Sequence, residues 1–180
     1  EDYKVIVSGF AKGIDKAALD SALKYHGHSI IVLPQGVMIF GSGYKTYYKQ
    51  IIDGDVLVLS TFHPKAPWKV ELAMARNPII YGLAKEIYVA DSSNSGGTWS
   101  GVKDGLRKGR TIYVRMASDD ETSANKLLIS LGGIAIDDNG NHESQQETER
   151  QVLPTTSIQD DLPGRIFVLL TNNVLTAKEI

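Results

Sequence analysis

Residues 5–15 of this 180-residue chain read VIVSGFAKGID, and this stretch decides the fold prediction. The β-branched run at residues 5–7 predicts a strand, Gly9 predicts a tight turn, and an apolar helical pattern follows Gly13. Such a turn directs backbone N–H groups and the positive end of a helix dipole toward one point, which is a natural phosphate site. Any such sheet also needs a glycine here for structural reasons, so both interpretations stay open. The fingerprint G-x-G-x-x-G is absent, and neither NAD nor FAD is inferred.

Strand-like runs alternate with helical patterns along most of the chain. The first helical pattern covers residues 13–25 and stops at Gly27, a residue typical of helix ends. Strands separated by helices imply right-handed crossovers and a parallel sheet. We therefore predict an α/β chain with a Rossmann-like, doubly wound, mostly parallel sheet and helices on both faces. The predicted strands are residues 5–7, 29–33, 56–59, 87–90 and 111–114.

Composition divides the chain into three predicted segments. Residues 1–137 carry the α/β pattern and predict a Rossmann-like domain. Residues 138–164 are polar with little periodicity and predict a linker. Residues 165–180 combine apolar residues at helical spacing with a capping-box pattern at 176–179, which predicts the start of a small helical domain that continues beyond this sequence. The apolar residues at helical spacing are Ile166, Leu169 and Leu170.

Charge and cysteine content limit the possible functions. The formal net charge is -2, so any binding of nucleic acid must come from a local cluster of positive charge. The chain has no cysteine, which excludes disulfides and thiolate zinc sites and favours a cytoplasmic setting. Its four histidines have no metal-ligand spacing, and no metal site is predicted. No apolar run approaches the roughly 20 residues of a membrane span, so no membrane partner is predicted.

The glycine-containing segments follow predicted strands, where ligands of parallel sheets bind. They are residues 8–9, Gly36, residues 41–43 and residues 95–98. Lys12, Lys45 and Arg76 lie in or near these segments and are the preferred phosphate ligands. A larger basic group is predicted to be a solvated outer face, with an ion pair between Asp104 and Lys108. This group consists of Lys103, Arg107, Lys108, Arg110 and Arg115.

Aromatic residues are interleaved with lysines in the same segments. Exposed rings stack on bases with about 1 to 3 kcal/mol each, an arrangement that suits single-stranded nucleic acid. Core packing is the default interpretation for any one ring. The rings are Phe10, Phe40, Tyr44, Tyr47 and Tyr48.

Sequence patterns typical of catalysis are missing. The chain has no G-x-S-x-G elbow, no Walker lysine and no cysteine nucleophile, and no paired carboxylates stand near the glycine turns. A binding protein that is not an enzyme, with no cofactor, is therefore predicted.

Together the motifs resemble the DNA-processing protein A (DprA/Smf) family over about residues 3–136. The resemblance rests on residues 8–15, 27–36, 76–83, 95–96, 109–110 and 125–129. It implies a Rossmann-like protein that binds single-stranded DNA. It also implies a recombination mediator that acts with a RecA-type recombinase in DNA uptake during natural transformation or in DNA processing, and that forms a homodimer. The family's winged-helix-like C-terminal domain would begin near Ile166. The family's first strand, with its glycine-serine-arginine turn, would precede Glu1.

The chain departs from the family pattern at three places. The family's Arg-Asn-Arg is Arg76-Asn77-Pro78 here, which removes one positive charge. Its Ser-Glu after the third strand is Ser60-Thr61. Residues 41–48 lack its usual Tyr-Pro.

The resemblance also implies a set of nucleic-acid-binding residues. The first glycine turn, at residues 8–13, would line the DNA pocket, and Lys45 would reach a phosphate. Arg76 and Asn77 would face the DNA, and the second glycine turn, at residues 96–98, would close the opposite wall. Gly36 lies at the same predicted edge. The complete set is Ser8, Gly9, Lys12, Gly13, Gly36, Lys45, Arg76, Asn77, Gly96, Gly97 and Thr98.

Two other functions stay open as alternatives. One is a nucleotide-sensing Rossmann module, because a phosphate site alone does not separate a small nucleotide from a strand. The other is a nucleoside-phosphate hydrolase, since the chain is similar to the cytokinin-activating phosphoribohydrolases at its Gly-Gly-Thr turn. Those enzymes have a catalytic glutamate three residues after the threonine, where this chain has Gly101.

Overall fold

The computed structural model describes residues 4–119, 121–142 and 165–170. Within these ranges the strands form one sheet in which all neighbouring strands are parallel, in the order β3-β2-β1-β7-β4-β5-β6. The strands are β1 (Lys4–Ser8), β2 (His28–Val32), β3 (Val56–Leu59), β4 (Glu86–Val89), β5 (Thr111–Arg115), β6 (Ile134–Ile136) and β7 (Arg165–Leu170). The helices are α1 (Ile14–Lys24), α2 (Gly41–Ile52), α3 (Val70–Leu83), α4 (Gly96–Arg107) and α5 (Asn125–Ser130), with a 3-10 helix at Val37–Ile39.

Helices pack on both faces of the sheet, as the alternation of side chains along β2 illustrates. Val32 points into a core shared with α3, α4 and α5, whereas Ile31 and Leu33 point into a second core shared with α1 and α2. Leu128 and Val102 are fully buried in the first core, and Leu19 is fully buried in the second. The predicted α/β, doubly wound, parallel architecture is therefore confirmed.

The first strand, turn and helix form where residues 5–27 predict them. Gly13 has a φ of 95°, a backbone conformation that favours glycine, and α1 begins at the next residue. The helix ends near Tyr25, and the Gly27 N–H donates to the Ala22 carbonyl at 2.8 Å, which closes the last turn.

Residues 41–43, one of the predicted glycine-containing segments at the ligand edge, form the start of a helix and not a loop. Gly41 is the first residue of α2, so this segment is helical from its start. Gly43 is buried, and a side chain there would meet the ring of Phe40, because the Cβ position is only 1.9 Å from the nearest ring atom. The glycine serves close packing at this position.

The helical spacing predicted for Ile166, Leu169 and Leu170 is also wrong, because these residues lie in β7. The strand pairs in parallel with β1 on one side and with β4 on the other. An uninterrupted apolar run fits a strand covered on both faces as well as it fits a helix, so spacing alone does not separate the two. The predicted linker after His142 and the capping box at 176–179 lie outside the described residues, and the division into domains stays a prediction.

Within the part of the chain that the structure describes, no helix is both long enough and apolar enough to cross a membrane.

The first core predicts a large difference between two neighbouring leucines of α5. Leu128 is fully buried, whereas 53% of Leu127 is exposed. We expect Leu128→Ala to lower the free energy of unfolding by about 2–5 kcal/mol through the cavity it leaves, and Leu127→Ala to lower it by no more than about 0.5 kcal/mol. Urea denaturation of both variants measures the difference, and equal effects would contradict this packing.

Candidate nucleic-acid interface

The sheet brings the predicted site segments to one edge because all its strands run in the same direction. We call this edge, where β1 to β5 end, the carboxyl edge. The turn at residues 9–13 follows β1, the segment around Gly36 follows β2, and α4 begins soon after β4 ends. The convergence of these segments is the arrangement that the sequence predicts, and it is where ligands of such sheets bind.

The first glycine turn is held by the carboxylate of Asp15. Asp15 Oδ2 accepts hydrogen bonds from the N–H groups of Gly9 at 2.9 Å and Ala11 at 3.1 Å. Burial raises the pKa of this carboxyl group, against the lowering effects of the Ala11 hydrogen bond and the Arg76 charge. Two amides of the turn are thus already bonded, which departs from the prediction that they face a phosphate. Phe10 adopts a φ of 60° between them, a conformation rare outside glycine.

Arg76 lies beneath the same turn, inside the protein. Only 7% of the residue is exposed, and its Nη1 donates to the carbonyl of Val32 at the end of β2. The guanidinium lies directly against Gly9, since a Cβ at Gly9 would be 2.1 Å from Nη1. Burial lowers the pKa of Arg76, while the Asp15 charge acts to raise it. Arg76 therefore occupies the predicted edge, but as a buried group.

The start of α4 forms the second part of the carboxyl edge. Gly96 is exposed with a φ of 87°, and Gly97 is buried against α3. A Cβ at Gly97 would lie 3.0 Å from Nδ2 of Asn77, so this glycine permits close packing of the two helices. The Tyr81 hydroxyl donates to the Gly97 carbonyl at 3.4 Å, and burial raises the pKa of Tyr81 to about 12. Asn77 and Gly97, predicted from separate motifs, are neighbours.

Gly36 is required by backbone packing after β2. A Cβ there would lie 2.1 Å from the Pro64 carbonyl oxygen, and the Gly36 N–H donates to the Ala66 carbonyl at 2.9 Å. Its amide is thus bonded within the protein.

Four of the five aromatic rings pack chiefly against one another or into the second core. The ring centroids of Phe10 and Phe40 are 4.9 Å apart, those of Phe10 and Tyr47 are 5.8 Å apart, and those of Phe40 and Tyr44 are 5.4 Å apart, all edge to face. The Tyr47 hydroxyl donates to Asp20 at 2.6 Å. Tyr48 remains 67% exposed. Core packing, the default interpretation, accounts for all of these rings except Tyr48.

Exposure divides the predicted binding residues into two groups. Those that reach solvent are the exposed Lys12, Gly13, Lys45 and Gly96 and the half-buried Asn77. Those that are buried are Ser8, Gly9, Gly36, Arg76, Gly97 and Thr98. The binding role of each residue stays a prediction. Only the residues of the first group are accessible to a ligand from solvent without a rearrangement of the protein.

The larger basic group has acidic partners for three of its members. Arg107 and Lys108 both pair with Asp104, which includes the predicted pair. Arg115 pairs with Glu121 and, at 3.5 Å, with Asp138. Lys103 lies 5.5 Å from the centre of the Trp99 ring, and Arg110 donates to the Ala84 carbonyl.

Two polar residues that support the carboxyl edge were missed by sequence reasoning. Asp15 stands four residues after Ala11 in the first turn of α1, and an acidic residue at a helix start is a usable signal for such capping. Asn125 is fully buried, and its Nδ2 donates to the carbonyls of Ala90 and Arg115, which joins the ends of β4 and β5. Nothing in the local sequence distinguishes Asn125 from a helix-capping asparagine.

Among the residues that the structure describes, no group of three histidine, aspartate or glutamate residues is placed to hold a metal ion. The fold defines a Rossmann-like protein, a class whose members bind ligands outside the carboxyl ends of their strands. The family model described as DNA recombination-mediator protein A matches residues 1–141, and the chain belongs to this family. The resemblance inferred from the motifs is thereby confirmed.

Individual relatives agree with the family assignment. The chain is 36% identical over 114 residues to DNA processing protein DprA of Streptococcus pneumoniae and 28% identical over 165 residues to protein Smf of a Synechocystis species. These alignments cover 63% and 82% of this chain but only 40% and 41% of the relatives, so the chain spans less than half of their length.

Two solved structures share the fold. The X-ray structure of DprA from Streptococcus pneumoniae superposes with a TM-score of 0.62 at 31% identity, covering 73% of this chain and 47% of that one. DNA processing protein A from Helicobacter pylori superposes with a TM-score of 0.60 at 21% identity, covering 73% of this chain and 60% of that one. The Helicobacter structure is described in terms of a single-stranded DNA binding mode.

The pairing of Arg115 predicts an acid titration. The Arg115 hydrogen bond, with help from the Ser118 hydroxyl, lowers the pKa of Glu121 from 4.5 to about 2. The lowered pKa means that this pairing stabilises the fold fully above pH 4.5 and is lost as the pH falls toward about 2. We expect Arg115→Gln to return the Glu121 pKa toward 4.5, measured by carbon NMR of its side-chain carboxyl. Asp119, whose pKa is lowered by Lys126, is the internal control and should not move. An unchanged Glu121 pKa would contradict the pairing.

Proposed function

We propose that this chain binds single-stranded DNA along the carboxyl edge of its sheet, as part of a recombination mediator of the DprA/Smf type. The observation that carries the proposal is the convergence of exposed cations and helix N-termini at this edge in a chain whose net charge is negative. Membership of the recombination-mediator family supports it. The single-stranded DNA binding described for the Helicobacter pylori protein supports the choice of ligand.

Positive charge at the edge comes from two lysines and two helix starts. Lys12 precedes α1 and Lys45 lies in the second turn of α2, both exposed. The Phe10 contacts with Phe40 and Tyr47 hold the first turn against α2, which keeps these two segments together. The N-termini of α1 and α4 add partial positive charge beside Gly13 and Gly96.

The backbone of a single strand fits this charge pattern better than a duplex groove does. The edge offers point charges and helix N-termini, which recognise phosphates without reading sequence. Tyr48, the exposed ring of α2, is available for stacking on an unpaired base. The binding is therefore expected to be tolerant of sequence and sensitive to salt.

The wider role is proposed from the family. In this proposal the chain acts with a RecA-type recombinase in DNA uptake during transformation or in DNA processing. It forms a homodimer, works in the cytoplasm and needs no cofactor. It binds without chemical turnover in this proposal, and one contact speaks against the phosphoribohydrolase alternative: a Cβ at position 101, where those enzymes have glutamate, would lie 2.2 Å from the Tyr81 hydroxyl oxygen.

Substitution of the two edge lysines tests the binding surface. We expect Lys12→Ala with Lys45→Ala to weaken binding of an oligo-dT probe and to reduce the slope of log affinity against log salt by about 1.4, since each lost single-strand phosphate contact removes about 0.7. Fluorescence anisotropy at several salt concentrations measures both quantities.

The matched control is the double variant Lys24→Ala with Lys85→Ala. It removes the same charge from the opposite edge of the sheet, at the end of α1 and just before β4. The control should leave the salt slope near that of the unchanged protein. If both double variants have equal effects, the carboxyl edge is not the binding surface.

Oligonucleotide length separates strand binding from nucleotide sensing. A strand binder gains affinity steadily from dT mononucleotide through longer oligo-dT, because each added nucleotide brings phosphate and base contacts. A sensor reaches its full affinity with a mononucleotide or dinucleotide. Competition titrations across a length series measure this, and release of free base from AMP in the same samples would favour the hydrolase instead.

A further inference from the structure

Arg76 is a buried charged residue at the centre of the carboxyl edge, and its burial needs an explanation. Removing a guanidinium from water is unfavourable unless its charge and its donors are compensated. Here the Asp15 charge stabilises the charged form of Arg76, and Nη1 donates a hydrogen bond to the Val32 carbonyl. Nε is buried with no hydrogen-bond partner among the described residues. The simplest explanation for a buried arginine whose Nε has no hydrogen-bond partner among the described residues is that its side chain holds neighbouring segments in place.

The surroundings of Arg76 identify what it supports. The guanidinium fills the space where a Gly9 side chain would be, so it directly limits where the first turn can lie. The same group holds the end of β2 through Val32. Asp15, whose charge interacts with Arg76, bonds the amides of Gly9 and Ala11 from the other side of the turn.

Asp15 belongs to α1 and Arg76 belongs to α3, and these helices cover opposite faces of the sheet. Their charges interact around the carboxyl end of β1. The turn at residues 9–13 is thus fixed between a carboxylate on one side and a guanidinium on the other. Lys12 and Gly13, the exposed members of that turn, take their positions from this arrangement.

We propose that Arg76 is a positioning residue of the DNA-binding site: with Asp15 it fixes the first turn so that Lys12 and the start of α1 face the strand, and it does not itself contact phosphate. This inference rests on the proposed function. It changes the role that the family motif assigns to Arg76, from a ligand of DNA to a support for the residues that bind it.

The two roles predict different salt dependences. A phosphate ligand contributes its own contact to the salt slope, because that contact releases a counterion, whereas a buried support affects the slope only through the lysine that it positions. Lysine serves well as a point-charge phosphate ligand but cannot reproduce the planar fork of arginine donors. Arg76→Lys therefore retains function if Arg76 is a ligand and loses it if Arg76 is a support.

The experiment compares Arg76→Lys with Lys12→Ala in the full chain, using anisotropy of an oligo-dT probe at several salt concentrations. We expect Arg76→Lys to weaken binding about tenfold, the loss that corresponds to one disrupted buried hydrogen bond, and to reduce the salt slope by up to about 0.7, because the displaced turn no longer holds Lys12 against a phosphate. Lys12→Ala should reduce the slope by about 0.7. An unchanged slope for Arg76→Lys, or affinity equal to that of the unchanged protein, would overturn the proposal, because lysine keeps the positive charge of a phosphate ligand.

Hydrogen exchange provides a readout that does not depend on DNA. The amides of Gly9 and Ala11 should exchange faster in Arg76→Lys, while the amides of β5 keep their protection. If the unchanged protein fails to bind oligo-dT, the proposed function fails, and the exchange rates still decide whether Arg76 fixes the turn. Unchanged exchange at Gly9 and Ala11 would refute it.

A second variant covers the case in which Arg76→Lys does not fold, as judged by circular dichroism. Gly9→Ala displaces the guanidinium from the outside without removing any charge. It should reproduce both the loss of affinity and the reduced salt slope. If its only effect is a lower free energy of unfolding, with binding by the folded protein unchanged, Arg76 is structural and positions nothing for the ligand.

Discussion

The contact between the Arg76 guanidinium and the bare Cα of Gly9 is the constraint on which the carboxyl edge depends. It joins α3 to the end of β1, and the bond to the Val32 carbonyl extends the link to β2. Asp15 completes it from the opposite face of the sheet by bonding the turn's amides. The sequence suggests that Gly9 lets a ligand approach the backbone. In the structure, the absence of a side chain at Gly9 makes room for the Arg76 guanidinium.

Helix α3 supports the second glycine turn as well as the first. Asn77 and Tyr81 lie one residue and five residues after Arg76, and both contact Gly97 in the first turn of α4. Pro78 lies between them within the helix and has no N–H to donate, so α3 lacks one regular backbone bond at this point. One helix therefore sets the spacing between the two glycine turns, and a displacement of α3 would move both.

The sequence allowed the parallel sheet to be predicted because strand, turn and helix signals agree along residues 5–27 and recur after it. It also placed the glycine turns at one edge, since that follows from topology alone. Exposure could not be predicted, because the burial of Arg76 depends on Val32 and Asp15, which are distant in sequence. At residues 41–48 the glycines are typical of a loop, but the segment is helical and Gly43 accommodates the Phe40 ring. Apolar spacing failed at β7, where a strand covered on both faces has no characteristic period.

Electrostatics at the edge must be local, because the chain as a whole carries a formal charge of -2. Several other cations are partly neutralised by their neighbours: Arg107 and Lys108 pair with Asp104, Arg115 at the end of β5 pairs with Glu121, and Lys126 pairs with Asp119. Exposed charges further apart than about 8–10 Å are screened at physiological salt. In the proposed interface the strand contacts Lys12, Lys45 and the helix ends beside them, and the position of the first turn decides whether these charges act on the same stretch of its backbone.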